Sequence, residues 1–177
     1  MSSTIDELKK YLNKIPLKSL TKLSKNDSGN FSVIQSEDLW YSLDDFKKNH
    51  HSMDALKIKK NTFVFVEFKD TTVPVMDKNF KASPSESKNI GLLVFKTFGS
   101  IDQLVEISEL TPLESGKIFE HPRVFVYVYS TQKNPTSLTE MKTLETFLKE
   151  RFGNLLHNIE VMDSTLFSDL YLNEEAV

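Results

Sequence analysis

The sequence predicts a mixed α/β domain, and three observations carry that reading. Stretches with apolar residues at helical spacing alternate with short runs rich in Phe, Val and Tyr, in the order α, α, β, β, α, β, α, β. At 177 residues the chain can bury a real core, and its 39% hydrophobic and 27% charged content disfavours disordered, collagenous and coiled-coil classes. It contains no repeat and no linker long enough to split it, so one domain is expected over 1–177.

Residues 4–15 read as an amphipathic helix with Ile5, Leu8, Leu12 and Ile15 on one face, Thr4 as its N-cap and Pro16 as its stop. Together with the chain to residue 25 it forms an N-terminal arm ahead of a core expected at 37–167. Residues 24–30 are loop chemistry. A second helix is expected after Ser36, with Glu37 and Asp38 in its first turn and Leu39, Trp40, Leu43 and Phe46 along it, ending near Lys48. Asp54–Lys60 alternates, Leu56 and Ile58 against Lys57 and Lys59, and reads as a strand. Residues 62–70 are apolar on both faces until Glu67, as in an interior strand. Residues 71–88 carry Pro74, Pro84 and no clear period. A long helix follows over 88–108, with Ile90, Val94, Ile101, Leu104 and Val105 on one face. Val124–Tyr129 is a strand, Leu138–Phe152 a helix and Ile159–Phe167 a final strand, with an acidic tail from 168 expected to fray.

Composition excludes several chemistries. There is no cysteine, so disulfides, thiolate metal sites and cysteine nucleophiles are ruled out. No P-loop, Rossmann glycine pattern, His-Glu-x-x-His or Gly-x-Ser-x-Gly occurs. The first residues lack an apolar secretory core and the longest mid-chain apolar run, Leu92–Phe95, is far too short to span a bilayer, so a cytoplasmic location away from membranes is expected. The net charge of −3 does not suit a protein that coats nucleic acid, though a local basic patch suffices for an enzyme. Residues 1–25 hold six lysines and 160–177 hold five acids without a base.

The informative feature is charge inside a strand that should be dry. In Asn61-Thr-Phe-Val-Phe-Val-Glu-Phe-Lys69, Glu67 and Lys69 share one face of a Phe/Val strand, where ionised groups are costly unless paired or bound to metal. A hairpin turning at Lys60-Asn61 pairs Ile58 with Phe63, Leu56 with Phe65 and Asp54 with Glu67, all on one face. The two carboxylates then oppose each other at roughly 4.5–5.5 Å between Cβ atoms. Their repulsion is relieved by a divalent cation, and hard oxygens at this spacing suit Mg²⁺ or Mn²⁺, with the Phe68 carbonyl as a further donor. Lys69 is placed to orient an attacking water or to stabilise charge on a phosphorane.

An acid at the start of one strand and Glu-x-Lys in the next resembles the PD-(D/E)xK nuclease superfamily, through Asp54-x12-Glu67-Phe68-Lys69 and the surrounding order of a helix, a hairpin, a long helix and another strand. The likeness covers residues 37–130. It implies a restriction-endonuclease-like fold, a mixed central sheet flanked by helices, and metal-dependent hydrolysis of phosphodiester bonds in nucleic acid, DNA before RNA. It further implies Asp54 and Glu67 as metal ligands, Lys69 beside the water, Glu37 as the assisting acid with Asp38 second, and Lys96 on the following helix facing the substrate. Met53 departs from the family's Pro, and no Gln-x-x-x-Tyr follows Lys69. The superfamily includes members without activity, so a nuclease-like module serving in binding or assembly, with a protein partner, is the alternative. Enzymes that cut both strands of a duplex often dimerise, which leaves a homodimer open.

Plainer readings stand beside these. Glu67 paired with Lys69 or Lys57 on a solvated edge strand would be a surface salt bridge. His50-His51 read as a helix end as well as added metal ligands, Trp40 and Tyr41 as core as well as a base-stacking pair, and Tyr127 and Tyr129 as sheet packing.

Overall fold

The structure, a computed structural model, describes residues 4–25, 28–46, 51–77, 79–109, 115–133, 137–153 and 158–173. Lys48 and His50, singled out above, and the end of the acidic tail, 174–177, lie outside them.

The chain is α/β, built on one mixed six-stranded sheet in which the strands lie side by side in sequence order. Helix α1 (Thr4–Leu12) leads into β1 (Leu17–Ser19) and a single turn, α2 (Leu20–Leu23). Strand β2 (Leu39–Ser42) and a turn of helix, α3 (Leu43–Phe46), precede the hairpin β3 (Ala55–Lys59) and β4 (Thr62–Lys69). Helix α4 (Pro84–Glu109), the short α5 (Ser115–Ile118), β5 (Arg123–Tyr129), α6 (Leu138–Phe152), β6 (Asn158–Asp163) and α7 (Ser164–Phe167) follow, and a π-helical turn covers Ser168–Leu172. Strands β1 to β4 form an antiparallel meander. Strands β5 and β6 then add in parallel through the α4 and α6 crossovers, which is why β4 and β5 are buried on both faces and read as near-continuous apolar runs.

Two cores sit on the two sheet faces. One contains Leu56, Phe63, Phe65, Phe125, Tyr127 and Ile159 under α1, α4 and α6; Ile5, Leu8 and Leu12 of the N-terminal arm belong to it. The other holds Val64, Val66, Phe68, Val126 and Val128 against Leu20, Trp40 and Phe167. Among the described residues no helix is long and apolar enough to cross a membrane.

The hairpin has the register expected of it: Ile58 pairs with Phe63 and Leu56 with Phe65. Lys60 and Asn61 both have positive φ, 44° and 66°, the signature of a two-residue type I′ turn, whose twist matches that of the strands. The ladder stops at Ala55 opposite Val66, one residue short of Asp54.

Four expectations are corrected. Residues 37–46 are not one helix: Leu39–Ser42 is a strand, because exposure alternates along it, Leu39 at 53% and Trp40 at 0%, and both its edges find partners in β1 and β3. The long helix starts at Pro84, not 88: the Ser83 hydroxyl accepts from the Glu86 amide at 3.3 Å, and proline is favoured at a first turn. Its buried face runs through Ile90, Leu93, Thr97, Ser100, Leu104 and Ile107, so Val94 and Ile101 flank that face and Val105 is only half-buried. The last strand ends at Asp163, whose carboxylate accepts from the amides of Thr165 and Leu166 and starts α7. Phe167 is therefore helical core, and the tail is wound as far as Leu172.

Candidate active site

The site forms where β3, β4 and α4 meet. Asp54 is the bend before β3, and α4 determines where it sits. The Ser100 hydroxyl accepts from the Met53 amide at 2.8 Å. At Gly99 a Cβ would lie 1.8 Å from the His51 carbonyl oxygen, so glycine is what lets the chain before Asp54 approach the helix. Asp54 then turns its carboxylate along the sheet, and Oδ2 accepts from the Phe68 amide at 2.8 Å. That bond continues the β3–β4 ladder with a side chain. In an extended strand a residue's N–H and C=O leave on the same side, so the Phe68 carbonyl faces this edge too.

Glu67 is fully buried at 0% exposure, on a strand flanked by β3 and β5. The edge-strand reading is therefore corrected, and Lys57 has no part in it: Lys57 pairs with Asp38 at 2.6 Å. Glu67 instead meets two ammonium groups through one oxygen. Lys69 Nζ lies 2.5 Å and Lys96 Nζ 2.7 Å from Oε1. Lys96 also reaches Asp54 Oδ1 at 3.4 Å. Glu67 Oε2 is buried with no hydrogen-bond partner among the described residues, a costly condition for a carboxylate oxygen.

The electrostatics follow from burial and crowding. Burial and then the Glu67 charge push Asp54 from its ordinary 3.8 up to about 8, against the opposing pull of Lys96 and the Phe68 amide. Burial alone would lower Lys96, but the charges of Asp54 and Glu67 and the hydrogen bond to Glu67 win and raise it. Lys96 stays an ammonium, and Asp54 is the group that tends to take up a proton.

Of the residues singled out in the sequence, Asp54, Glu67, Lys69 and Lys96 come together. Glu37 does not. It is exposed and forms no contact with that group, because it precedes a strand: five residues at about 3.3 Å each place it some 16 Å from the Ser42 end that adjoins Asp54. Asp38 is turned to Lys57 and to the Trp40 indole N–H, 2.8 Å away. His51 packs edge-on to Phe95 with ring centroids 5.0 Å apart and touches neither carboxylate. Trp40 is core, and Tyr127 and Tyr129 are buried in the sheet; the Tyr127 hydroxyl bonds Thr97 on α4.

The acid that does enter the field of the cluster is Asp44 in α3. Burial and the Glu67 charge raise its pKa while Lys96 lowers it. Its signal in the sequence is its place just after a strand that ends beside Asp54, legible only once Leu39–Ser42 is known to be a strand. Among the described residues no three His, Asp or Glu side chains gather closely enough to hold a metal by themselves. Beside Lys69 opens a cleft of about 130 Å³ lined by Thr71, Thr72, Asn89 and Tyr129, room for waters and part of a ligand only. No family model matches the chain, and no curated protein or solved structure does either.

Proposed function

We propose that this chain is a nuclease of the restriction-endonuclease-like kind that hydrolyses phosphodiester bonds in nucleic acid, DNA before RNA, with Mg²⁺ or Mn²⁺. One observation carries the reading: a carboxylate just before β3 and one on β4 share the Lys96 ammonium at a sheet end, and one buried oxygen, Glu67 Oε2, has no donor among the described residues. The element order supports it as well, with a helix, an antiparallel meander that ends in the hairpin, a long helix and a parallel strand.

The donor set fits such a cation. Asp54, Glu67 and the Phe68 carbonyl offer only hard oxygens, which suit Mg²⁺ or Mn²⁺, and so few protein ligands leave positions for water. When bound, a divalent ion there lowers the pKa of water and offsets charge building on the phosphate. Asp54 and Glu67 hold the ion, and the amide of Phe68 fixes the Asp54 carboxylate in orientation. Lys69, about one-quarter exposed and at the mouth of the cleft, faces outward enough to orient the attacking water or to meet the charge that develops on the phosphoryl oxygens. Lys69, lining the cleft, gives the approaching polyanion a positive contact on a chain whose net charge is −3.

The test is a Mn²⁺ titration by calorimetry of the wild type beside Glu67→Gln, followed by cleavage of DNA and RNA panels. Binding and cleavage in the wild type, both abolished in a folded Glu67→Gln protein, are expected. Equal cleavage by that variant would overturn the reading.

A second reading rests on a separate observation. The two lysines already neutralise the two carboxylates, so the same cluster is self-sufficient as a buried ion network in an inactive module that binds a protein partner. Salt separates the two: an enzyme that tracks phosphates loses DNA affinity steeply as salt rises, and a protein-binding module shows no DNA affinity to lose.

A further inference from the structure

Lys96 occupies the one place between Asp54 and Glu67 that a cation would need. Its Nζ is 2.7 Å from Glu67 Oε1 and 3.4 Å from Asp54 Oδ1. No divalent ion can share both oxygens while an ammonium sits there, since like charges at such distances repel strongly in a partly dry site. We infer that Lys96 is a built-in competitor of the metal, and that its side chain must swing from between Asp54 and Glu67 to Asp44 for the ion to enter. This rests on the metal-site reading above and adds to it the element that gates the site.

The molecule holds both ends of that motion. The Lys96 side chain is 26% exposed, so its four-carbon stem has a way out toward solvent. Asp44 forms no hydrogen bond or ion pair of its own among the described residues, and it sits beside the cluster because the amide of the preceding Leu43 donates to the Asp54 carbonyl at 3.4 Å. Displaced there, the ammonium keeps a counter-charge while Asp54 Oδ1 is released and Glu67 Oε1 is left with Lys69 alone. Glu67 Oε2, buried and without a donor, is the oxygen that gains most. Lysine suits the role because it is a flexible point charge; an arginine would clamp both carboxylates with a rigid fork.

The experiment is Mn²⁺ binding by calorimetry and by Mn²⁺ electron paramagnetic resonance on wild type, Lys96→Met, Lys96→Arg, Asp44→Asn and the Lys96→Met/Asp44→Asn pair, with folding checked by circular dichroism. Lys96→Met is expected to bind about tenfold more tightly or better, and Lys96→Arg more weakly than wild type. Asp44→Asn should weaken binding in the wild type and have no effect once Lys96 is Met. If Lys96→Met does not fold, Lys96→Arg still decides, since it keeps the charge. Affinity unchanged in Lys96→Arg, or lowered in Lys96→Met, with Glu67→Gln abolishing binding, overturns the competitor and leaves the metal site standing. No Mn²⁺ bound by wild type or by Lys96→Met overturns both.

Discussion

Asp54 is held next to a buried carboxylate, and the proton it gains ties the site to stability. Its pKa rises from 3.8 to about 8 through burial and the Glu67 charge. The folded state therefore binds more protons than the unfolded state between those values, and the Asp54 contribution, full below about pH 4, is lost as pH rises toward about 8. Asn in its place keeps an oxygen for the Phe68 amide and cannot ionise. Asp54→Asn should thus gain on the wild type by at least about 1 kcal/mol between about pH 5 and about pH 8 in urea denaturation. A difference that stays flat or shrinks with pH would show that Asp54 is ionised throughout. The cluster also marks how far residues alone can be read. Glu67 and Lys69 stand out because charge on a Phe/Val strand is anomalous wherever the strand lies. Asp44 does not, since its relevance depends on which strand ends beside it.

The hairpin is the element on which sequence and structure agree most closely, and the reason is local. Alternation in 56–59, continuous apolar residues in 63–66 and a two-residue connection admit one register that buries Leu56, Phe63 and Phe65 together. The turn itself goes against preference, because Lys60 takes φ 44° with a Cβ in the way. Replacing Lys60-Asn61 with Asn-Gly should stabilise the fold by about 1 kcal/mol, read as a higher urea midpoint with unchanged m. A lower midpoint would mean that Lys60 makes contacts outweighing its strain. Leu39–Phe46 shows the opposite case. Apolar residues at Leu39, Trp40, Leu43 and Phe46 match a helix, yet two waiting strand edges outweigh that period, and the backbone hydrogen bonds go to the sheet.

At the scale of the whole molecule, β4 and β5 belong to both cores, since alternate residues of each strand face opposite ways. The two faces should therefore melt together. Phe65, stacked on Phe125 at 5.0 Å, lies on the helix-covered face, and Trp40, the one tryptophan, reports from the other. Phe65→Ala should cost about 3–5 kcal/mol and shift the Trp40 fluorescence transition and the far-ultraviolet circular dichroism transition equally. Separate midpoints would show that the faces are independent units. The sequence by itself determined the mixed α/β class, the hairpin register, the α6 boundaries and the anomalous Glu67–Lys69 pair, because period, turn chemistry and the cost of buried charge are local properties. Only the tertiary structure decided that Glu37 is remote, that Lys96 bridges Asp54 and Glu67, and that the turn carrying Asp44 adjoins Asp54. Those placements depend on how α4 packs through Gly99 and Ser100 and on which strand edges find each other, and non-local pairing of that sort leaves no period in the chain.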